Sequence, residues 1–316
     1  MKGRVAESEI KKSLCEKRRG FIKNWQLLAL CIPALIGYIV FSYVPMFGQV
    51  MAFKKYRIAD GIWGSEWAGF ENFRFLFTAP DIVRIVRNTV GYSLLFLVLG
   101  VVTNIIVALL AFEIDNKRCL KFYQNVIQFP RFISWVIAGF ITYAILDPSY
   151  GLLSQLLRDT EFAGFNAYTT PGVWPFILSF CAVWKDVGGG SLLYYATLIG
   201  IDSELYEAAA MDGASRWKQT LYISLPHLVP VLCLTVILNI GGLFSGDFGL
   251  FYSIPRDAKA VYETTDIINT YVYRGLASGT YAMSSAVGFA QSVIGLVMLV
   301  ITNGVIRKVS PDNSMF

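Results

Sequence analysis

The pattern of apolar and polar residues divides the chain into six long hydrophobic stretches joined by polar segments. Each stretch holds roughly 20 mainly apolar residues, the length that a helix needs to cross a hydrocarbon core of about 30 Å. The pattern therefore predicts an all-α integral membrane protein with six transmembrane helices. The predicted spans are residues 25–47, 88–112, 126–146, 181–201, 228–248 and 285–306.

The composition supports this prediction. Only 16% of the residues are charged, whereas a soluble domain carries about 25%. The first apolar stretch is too long for the core of a signal peptide, and no small-residue cleavage site follows it, so we predict a retained helix. Eight Lys and Arg residues lie within residues 1–24. The net charge of +5 is therefore not spread over a face that would bind nucleic acid.

Lys and Arg residues are distributed unequally between the polar segments. With the N-terminus inside, the inner segments hold 15 of them in 73 residues and the outer segments 9 in 100. Because positive charge collects on the inner side, we expect both termini to be cytoplasmic. We divide the chain into a basic cytoplasmic tail (1–24), a transmembrane domain (25–308) with a cytoplasmic loop at about 202–227, and a C-terminal tail (309–316).

Residues suited to catalysis or metal binding are sparse. The five Cys residues are scattered without a Cys-x-x-Cys pair, and His227 has no second His with which to share a metal. The Gly-rich sequence that cradles ATP phosphates is also missing. We predict no metal site and no catalytic residue, and we expect that the chain is not an enzyme and carries no cofactor of its own.

The polar loop at 202–227 has the sequence of two short helices joined by a turn. Asp202 is a good N-cap for a helix over 203–211, and the alanines that follow Glu207 are strong helix formers. Gly213 permits the positive φ that ends a helix and turns the chain. A second helical stretch begins at about Ala214, and Pro226 and Pro230 are expected to fix the start of span five.

This loop resembles the coupling loop of the membrane subunits of binding-protein-dependent (type I) ABC importers. The likeness lies in a Glu-Ala-Ala run with Gly six residues after the Glu, followed by Ile-x-Leu-Pro. It implies the type I importer permease fold and a loop that docks onto a separate ATPase. The residues that it assigns to docking are Glu207, Ala208, Ala209, Asp212, Gly213, Trp217, Leu221, Ile223 and Pro226. Thr220 departs from the larger apolar residue of many relatives, and Trp217 and Leu221 are expected to compensate.

The resemblance extends over most of residues 25–308. The stretches at 88–89, 129–135, 200–207, 260–266 and 270–274 are similar to the carbohydrate-uptake branch, and most similar to permeases for oligosaccharides or polysaccharide fragments of the alginate type. This implies a bacterial cytoplasmic membrane protein that forms half of a sugar pathway. The implied partners are a second homologous permease, two ATPase subunits carrying ATP and Mg, an extracytoplasmic sugar-binding protein and a carbohydrate substrate.

Polar and aromatic residues within the predicted spans are the candidates for the pathway: Trp184, Lys185, Asp186, Tyr194, Tyr195, Asn239 and Asp247. Lys185 and Asp186 are placed in the outer third of span four, where ionisable residues tend to face a cavity. Gly188–Gly190 would loosen that helix and admit a neighbouring backbone. Asn239 is placed at a kink-prone midpoint of span five.

Structural roles and another function class stay open for these residues. Lys185 and Asp186 are explained equally well as a Lys–Asp pair at a helix end and as residues that line the pathway. Tyr194 and Tyr195 also suit a role in helix packing. An ATP-independent secondary transporter or channel is the main functional alternative. It would be favoured by internal repeats, which we do not find, and by a mid-span relay, for which Lys185–Asp186 is the candidate.

Overall fold

The structure of the protein is a computed structural model that describes residues 25–240 and 242–309. The predicted basic tail at 1–24 lies outside the described residues, as do residue 241 and residues 310–316 of the predicted C-terminal tail.

Helices make up most of the described chain. We number the main ones α1 (Trp25–Tyr38), α2 (Pro80–Phe112), α3 (Lys117–Gln128), α4 (Trp135–Leu146), α5 (Leu152–Leu157), α6 (Trp174–Ile199), α7 (Ser203–Met211), α8 (Arg216–Ile240), α9 (Phe248–Ser253), α10 (Ile268–Ala277) and α11 (Tyr281–Val309). Shorter helices lie at Val44–Met46, Gly61–Gly64, Phe75–Thr78 and Tyr262–Thr265. Strands β1 (Lys54–Lys55) and β2 (Glu66–Trp67) pair antiparallel.

Among the described residues, five helical segments are long and apolar enough to cross a membrane: Ala29–Phe53, Pro80–Phe112, Pro171–Ile199, Arg216–Ile240 and Tyr281–Gly304. A sixth span arises if the bent pair Lys117–Phe132 and Trp135–Leu146 counts as one. Each of the six predicted hydrophobic stretches therefore overlaps one of these helical segments, although several boundaries were wrong.

Span three is broken, whereas the sequence predicted one helix over 126–146. The chain bends by 94° between α3 and α4. Pro130 lies in a 3₁₀ turn, Phe129–Phe132, and Ser134 then caps α4 by accepting a hydrogen bond from the Ile137 backbone N–H at 3.3 Å. The cap and the proline each favour the start of a new helix, so local chemistry ends one helix and begins another within an apolar stretch.

Spans four and five both begin earlier than predicted. Helix α6 starts at Trp174 rather than 181, and α8 runs from Arg216 to Ile240 rather than over 228–248. The second helix of the loop is continuous with span five, through a π-helical turn at Thr220–Ser224. Pro226 has no N–H for the carbonyl four residues earlier, which favours such local widening. The prolines therefore lie within α8 instead of marking its start.

The glycine triplet of α6 is a contact surface. A Cβ at Gly188 would overlap the backbone of Ile127, one at Gly189 the guanidinium of Arg131, and one at Gly190 the side chain of Asn104. The predicted close approach is confirmed, and α6 stays helical through all three residues. The absence of Cβ atoms therefore lets α6 contact α2, α3 and the break of span three together.

Two apolar clusters hold the helices around this contact. One surrounds Trp174 and includes Tyr92, Leu178 and Phe251, and the Trp174 indole donates a hydrogen bond to the Ala167 carbonyl at 2.9 Å. The other joins α2, α6 and α8 through Ala108, Tyr194, Leu198 and Leu228. Helix α1 differs, because none of the most apolar window of Ala29–Phe53 is buried.

Candidate functional site

A polar cavity of about 1180 Å³ opens where α2, α6 and α8 meet the break of span three. The chain segment after α8 closes part of its wall. Its polar lining residues are Ser93, Thr103, Asn104, Arg131, Trp135, Lys185, Asp186, Tyr194, Thr235, Asn239, Ser245, Asp247 and Asn269. A cavity of this size with many hydrogen-bonding groups suits a hydroxylated ligand of more than one ring.

Five of the seven predicted pathway residues line this cavity: Lys185, Asp186, Tyr194, Asn239 and Asp247. The other two lie elsewhere. Trp184 packs against the cluster around Trp174, and Tyr195 packs against the cluster that contains Ala108 and Leu198. Successive residues of a helix point in different directions, so adjacent members of a pair such as Trp184 and Lys185 contact different neighbours.

Lys185 closes the break of span three. Its ammonium donates hydrogen bonds to the carbonyl oxygens of Arg131, at 3.2 Å, and Ile133, and it lies 5.0 Å from the centre of the Trp135 ring. Those carbonyls are left without helical partners by the bend, and a nearby cation satisfies them. Within α6, which begins at Trp174 and ends at Ile199, Lys185 lies near the middle of the helix.

Asp247 joins two distant elements at the cavity wall. One carboxylate oxygen accepts a hydrogen bond from the Trp135 indole at 2.7 Å, and the other accepts one from the Leu250 backbone N–H at 3.1 Å. Asp247 therefore caps α9. The sequence had placed it in span five, and that placement was wrong. The indole hydrogen bond fixes the start of α4 against the start of α9.

Asn239 lies in the last turn of α8, not at its midpoint, because the helix ends at Ile240. Its amide donates a hydrogen bond to the Thr235 carbonyl at 2.8 Å. Across the cavity Asn269 donates to the Gly246 carbonyl at 3.3 Å and accepts from Gln291 at 3.1 Å. Each amide has further hydrogen-bonding capacity beyond these contacts.

Two buried polar atoms at the cavity wall have no hydrogen-bond partner within the part of the chain that the structure describes. They are Oδ1 of Asn104, a residue only 6% exposed, and the hydroxyl of Tyr194, which is 1% exposed. Buried polar groups are nearly always hydrogen-bonded. Both residues line the cavity.

Sequence reasoning missed eight of the thirteen polar lining residues, among them Asn104, Arg131, Trp135 and Asn269. Arg131 lies in the turn that contains Pro130, and Trp135 begins the next helix. That proline inside an apolar stretch was the available signal for a break. Asn104 is a polar residue inside span two, which could also have marked a cavity. No local signal distinguishes Asn269.

The 202–227 loop forms the predicted helix-turn-helix. Oδ1 of Asp202 accepts a hydrogen bond from the Glu204 backbone N–H at 3.0 Å, and α7 spans Ser203–Met211. Gly213 has φ +76°. The Ala214 N–H then bonds the Ala209 carbonyl at 2.9 Å, which is the pattern expected at a glycine-terminated helix. The predicted cap, helix and turn are confirmed.

The loop exposes most of the side chains that were assigned to docking. Glu207, Ala208, Asp212, Gly213, Trp217, Leu221 and Pro226 are exposed, while Ala209 and Ile223 are half-buried. Trp217 is 70% exposed, and Met211 and Tyr222, which the sequence reasoning did not single out, are 89% and 78% exposed. An exposed apolar set of this kind is typical of a surface that contacts another protein or the membrane.

The loop is nonetheless tied to the helices. The hydroxyl groups of Tyr206 and Ser224 are 2.9 Å apart, which joins α7 to α8. The Tyr206 ring lies 5.7 Å from the Phe112 ring at the end of α2. Arg216 and Glu113 form an exposed ion pair at 3.8 Å. These contacts hold the loop against the ends of two spans, so that it moves with them.

The similarity to known proteins extends over both the 202–227 loop and most of the cavity lining. Residues 114–311 match the family of the binding-protein-dependent transport system inner membrane component. The chain is 33% identical to protein LplB of Bacillus subtilis (strain 168), with 89% of this chain and 88% of LplB covered. It is 32% identical to the polygalacturonan/rhamnogalacturonan transport system permease protein YteP of the same organism, with 91% and 89% covered.

Two solved structures share the fold at TM-scores of 0.81 and identities of 31%. One is a bacterial ABC transporter involved in the import of the acidic polysaccharide alginate, with 92% of this chain and 98% of that chain covered. The other is a bacterial alginate ABC transporter in complex with an alginate pentasaccharide-bound periplasmic protein, with 92% and 97% covered. The resemblance read from the loop and the predicted fold are confirmed.

Proposed function

The chain belongs to the family of binding-protein-dependent transport system inner membrane components, and we propose that it forms half of the pathway of an ATP-driven oligosaccharide importer. It is a multi-pass protein of the cytoplasmic membrane that works with a substrate-binding protein. The relatives named for polygalacturonan/rhamnogalacturonan and for the acidic polysaccharide alginate have substrates that suit a cavity with many polar groups and both signs of charge.

One observation carries this proposal: α8 belongs to both functional regions. It begins at Arg216 in the exposed loop and ends at the cavity wall with Thr235, Leu238 and Asn239. A 25-residue helix is about 37 Å long. A displacement of the loop would therefore reach the cavity through one continuous helix.

The proposed mechanism uses partner subunits for ATP hydrolysis. Two ATPase chains, which carry ATP and Mg, dock on the 202–227 loops of this chain and of a second permease that completes the pathway. Glu207 and the exposed apolar residues Met211, Trp217 and Tyr222 would form the docking surface. This chain supplies no catalytic residue and no cofactor. The loops and both chain termini lie in the cytoplasm in this arrangement.

In the cavity, the chain's own residues bind and orient the sugar. Asn239, Asn269 and Asp186 present hydrogen-bonding groups, and the guanidinium of Arg131 lies against Gly189 on the same wall. The buried Asn104 and Tyr194 groups would accept or donate to sugar hydroxyls. Neutral and acidic saccharides both find partners here, because the lining includes Arg131 and Lys185 as well as Asp186 and Asp247.

The test is co-purification of the tagged chain with the ATPase, comparing wild type with Glu207→Arg. We expect at least a 10-fold loss of ATPase recovery and of sugar-stimulated hydrolysis, because placing like charges together at an interface costs several kcal/mol, and about 1.4 kcal/mol is already tenfold. Glu161→Arg makes the same charge change at another exposed residue and should leave both unchanged.

Equal ATPase binding and stimulation in wild type and Glu207→Arg would contradict coupling through the loop. Sugar uptake by the purified chain alone in vesicles, without any ATPase, would replace the proposal with the secondary-transporter alternative.

A further inference from the structure

A second, smaller cavity of about 240 Å³ lies beside the main one. We call it the arginine pocket and define it by its lining residues: Val136, Gly139, Phe140, Tyr252, Ser253, Arg256 and Asp257. Both cavities use the same two helices. Helix α4 contributes Trp135 to the main cavity and Phe140 to the arginine pocket, and those residues are about 7.5 Å apart along the helix axis.

Aromatic rings connect the two cavities along α9. Phe248 lines the main cavity, and Tyr252, one turn further on, lines the arginine pocket. Their rings stack at 5.1 Å with an interplanar angle of 16°, and each lies 5.0 Å from the ring of Tyr273. A continuous aromatic surface with a few polar groups is the kind of lining that binds ring-shaped ligands.

The backbone at Arg256 is in an unusual conformation. Arg256 and Asp257 have φ of +57° and +50°, which is uncommon outside glycine. Asp257 forms an ion pair with Arg274 at 3.1 Å and accepts a hydrogen bond from the Tyr262 hydroxyl at 2.7 Å. Arg256 itself is exposed, with its guanidinium 4.1 Å from the centre of the Tyr143 ring. The anchored aspartate fixes the turn that presents the arginine.

The carboxylates nearest to Arg256 are already engaged. Asp257 binds Arg274 and Tyr262. Asp147 accepts backbone hydrogen bonds from Ser149 and Tyr150 at 2.9 and 2.7 Å, and a hydrogen bond with Tyr143 lowers its pKa, with a smaller contribution from Arg256. Within residues 25–240 and 242–309, no carboxylate oxygen lies within 4.0 Å of the Arg256 guanidinium. Its bidentate donors therefore stay available to an anion.

We propose that the arginine pocket is a uronate subsite that extends the main cavity. One acidic sugar ring packs against Phe140 and Tyr252 with its carboxylate on Arg256, and the rest of the oligosaccharide continues past Phe248 into the main cavity. This inference rests on the proposed function and adds to it a ligand class, namely acidic saccharides that are long enough to occupy both cavities. Short saccharides bind in the main cavity alone, and longer acidic ones occupy both.

The test measures saccharide binding to the assembled importer in lipid nanodiscs by saturation-transfer NMR. The probes are galacturonan disaccharide and hexasaccharide, mannuronan hexasaccharide, and neutral maltohexaose. For Arg256→Gln we expect a roughly 10-fold higher Kd for the acidic hexasaccharide that wild type binds, because a charge-assisted hydrogen bond is lost. The Kd of the disaccharide should change by less than about 2-fold.

Three further variants isolate the cause. Arg256→Lys keeps the charge but loses the planar fork, so its Kd should fall between wild type and Arg256→Gln. Phe140→Leu should weaken acidic and neutral hexasaccharides alike, by about 3-fold, because it removes an aromatic face. Arg158→Gln removes an exposed arginine outside both cavities and should change nothing.

Three outcomes would overturn the subsite: wild type binds neither acidic hexasaccharide, Arg256→Gln changes no Kd, or it weakens both lengths equally. Equal weakening would instead indicate that Arg256 affects binding in the main cavity and does not form a separate subsite. Failure of the proposed function is distinguishable, since it would appear as the loss of ATPase coupling in wild type, whatever Arg256 variants do.

Discussion

The 202–227 loop and the main cavity differ in how their residues are held. In the loop the hydrogen bonds join near neighbours, such as Asp202 to Glu204, and the functional side chains point outward. In the cavity the contacts join residues far apart, such as Trp135 and Asp247, which are separated by 112 positions. The loop is thus a locally encoded surface, and the cavity is a product of helix packing.

This difference predicts how each region tolerates change. Substitutions in the loop should affect coupling while the helical bundle stays folded. Substitutions where α6 meets its neighbours should affect folding first and transport as a consequence. Substitutions of cavity side chains that are not close-packed should have an intermediate effect on both folding and transport.

The largest effect is expected at the glycine triplet. Gly188→Leu places a side chain on the backbone of Ile127, so α6 cannot contact the break of span three. We expect at least 1–3 kcal/mol of destabilisation from overpacking, seen as loss of monodisperse protein in detergent and of all uptake.

The matched control is Gly91→Leu in α2, because a Cβ at Gly91 meets no atom within 4 Å. Its yield and melting temperature should stay near wild type. A Gly188→Leu protein with a wild-type melting temperature would show that the triplet is not a packing surface.

An intermediate effect is expected at the contact between Trp135 and Asp247. Trp135→Phe keeps an aromatic ring and removes the indole donor, so the carboxylate loses a charge-assisted hydrogen bond. We expect saccharide uptake to fall about 5- to 10-fold, because α9 is no longer fixed against α4, with a loss of roughly 1 kcal/mol in stability.

Uptake and thermal unfolding together check this prediction. Trp63→Phe, at an exposed tryptophan outside the cavity, serves as the control and should transport normally. If Trp135→Phe transported at the wild-type rate, the hydrogen bond would have no part in shaping the pathway.

The smallest effect is expected at the helix cap of the loop. Asp202→Ala removes the side chain that accepts from the Glu204 backbone N–H. Loss of an N-cap costs about 1 kcal/mol of helix stability, and contacts of Tyr206 with Ser224 and Phe112 still hold α7.

We therefore expect less than a 3-fold reduction in sugar-stimulated ATPase activity, and restoration by Asp202→Ser, which also caps helices. A loss as large as that of Glu207→Arg would mean that the position of α7 depends on its cap and not on its tertiary contacts.

Span three and Lys185 show where prediction from sequence stopped. The apolar stretch gave the span, but its 94° bend depends on the Pro130 turn and on α6 packing against it. Lys185 was placed near a second charge, whereas it binds two carbonyl oxygens that the bend leaves free. A hydropathy average describes how apolar a stretch of residues is. It therefore carries no information about which backbone carbonyl groups a break in the helix leaves unpaired.

The sequence by itself determined the number of hydrophobic stretches, the cap and turn of the loop, and the family. Each depends on residues within about 20 positions of one another: a span by its length, a cap by its oxygen, a turn by a glycine with positive φ. Only the tertiary structure decided which side chains line the cavity and that Arg256 stands over the ring of Tyr143. The physical reason is that helix packing brings together residues more than 100 positions apart. A step of one residue, about 100° around a helix, then decides whether a side chain meets the cavity or the core.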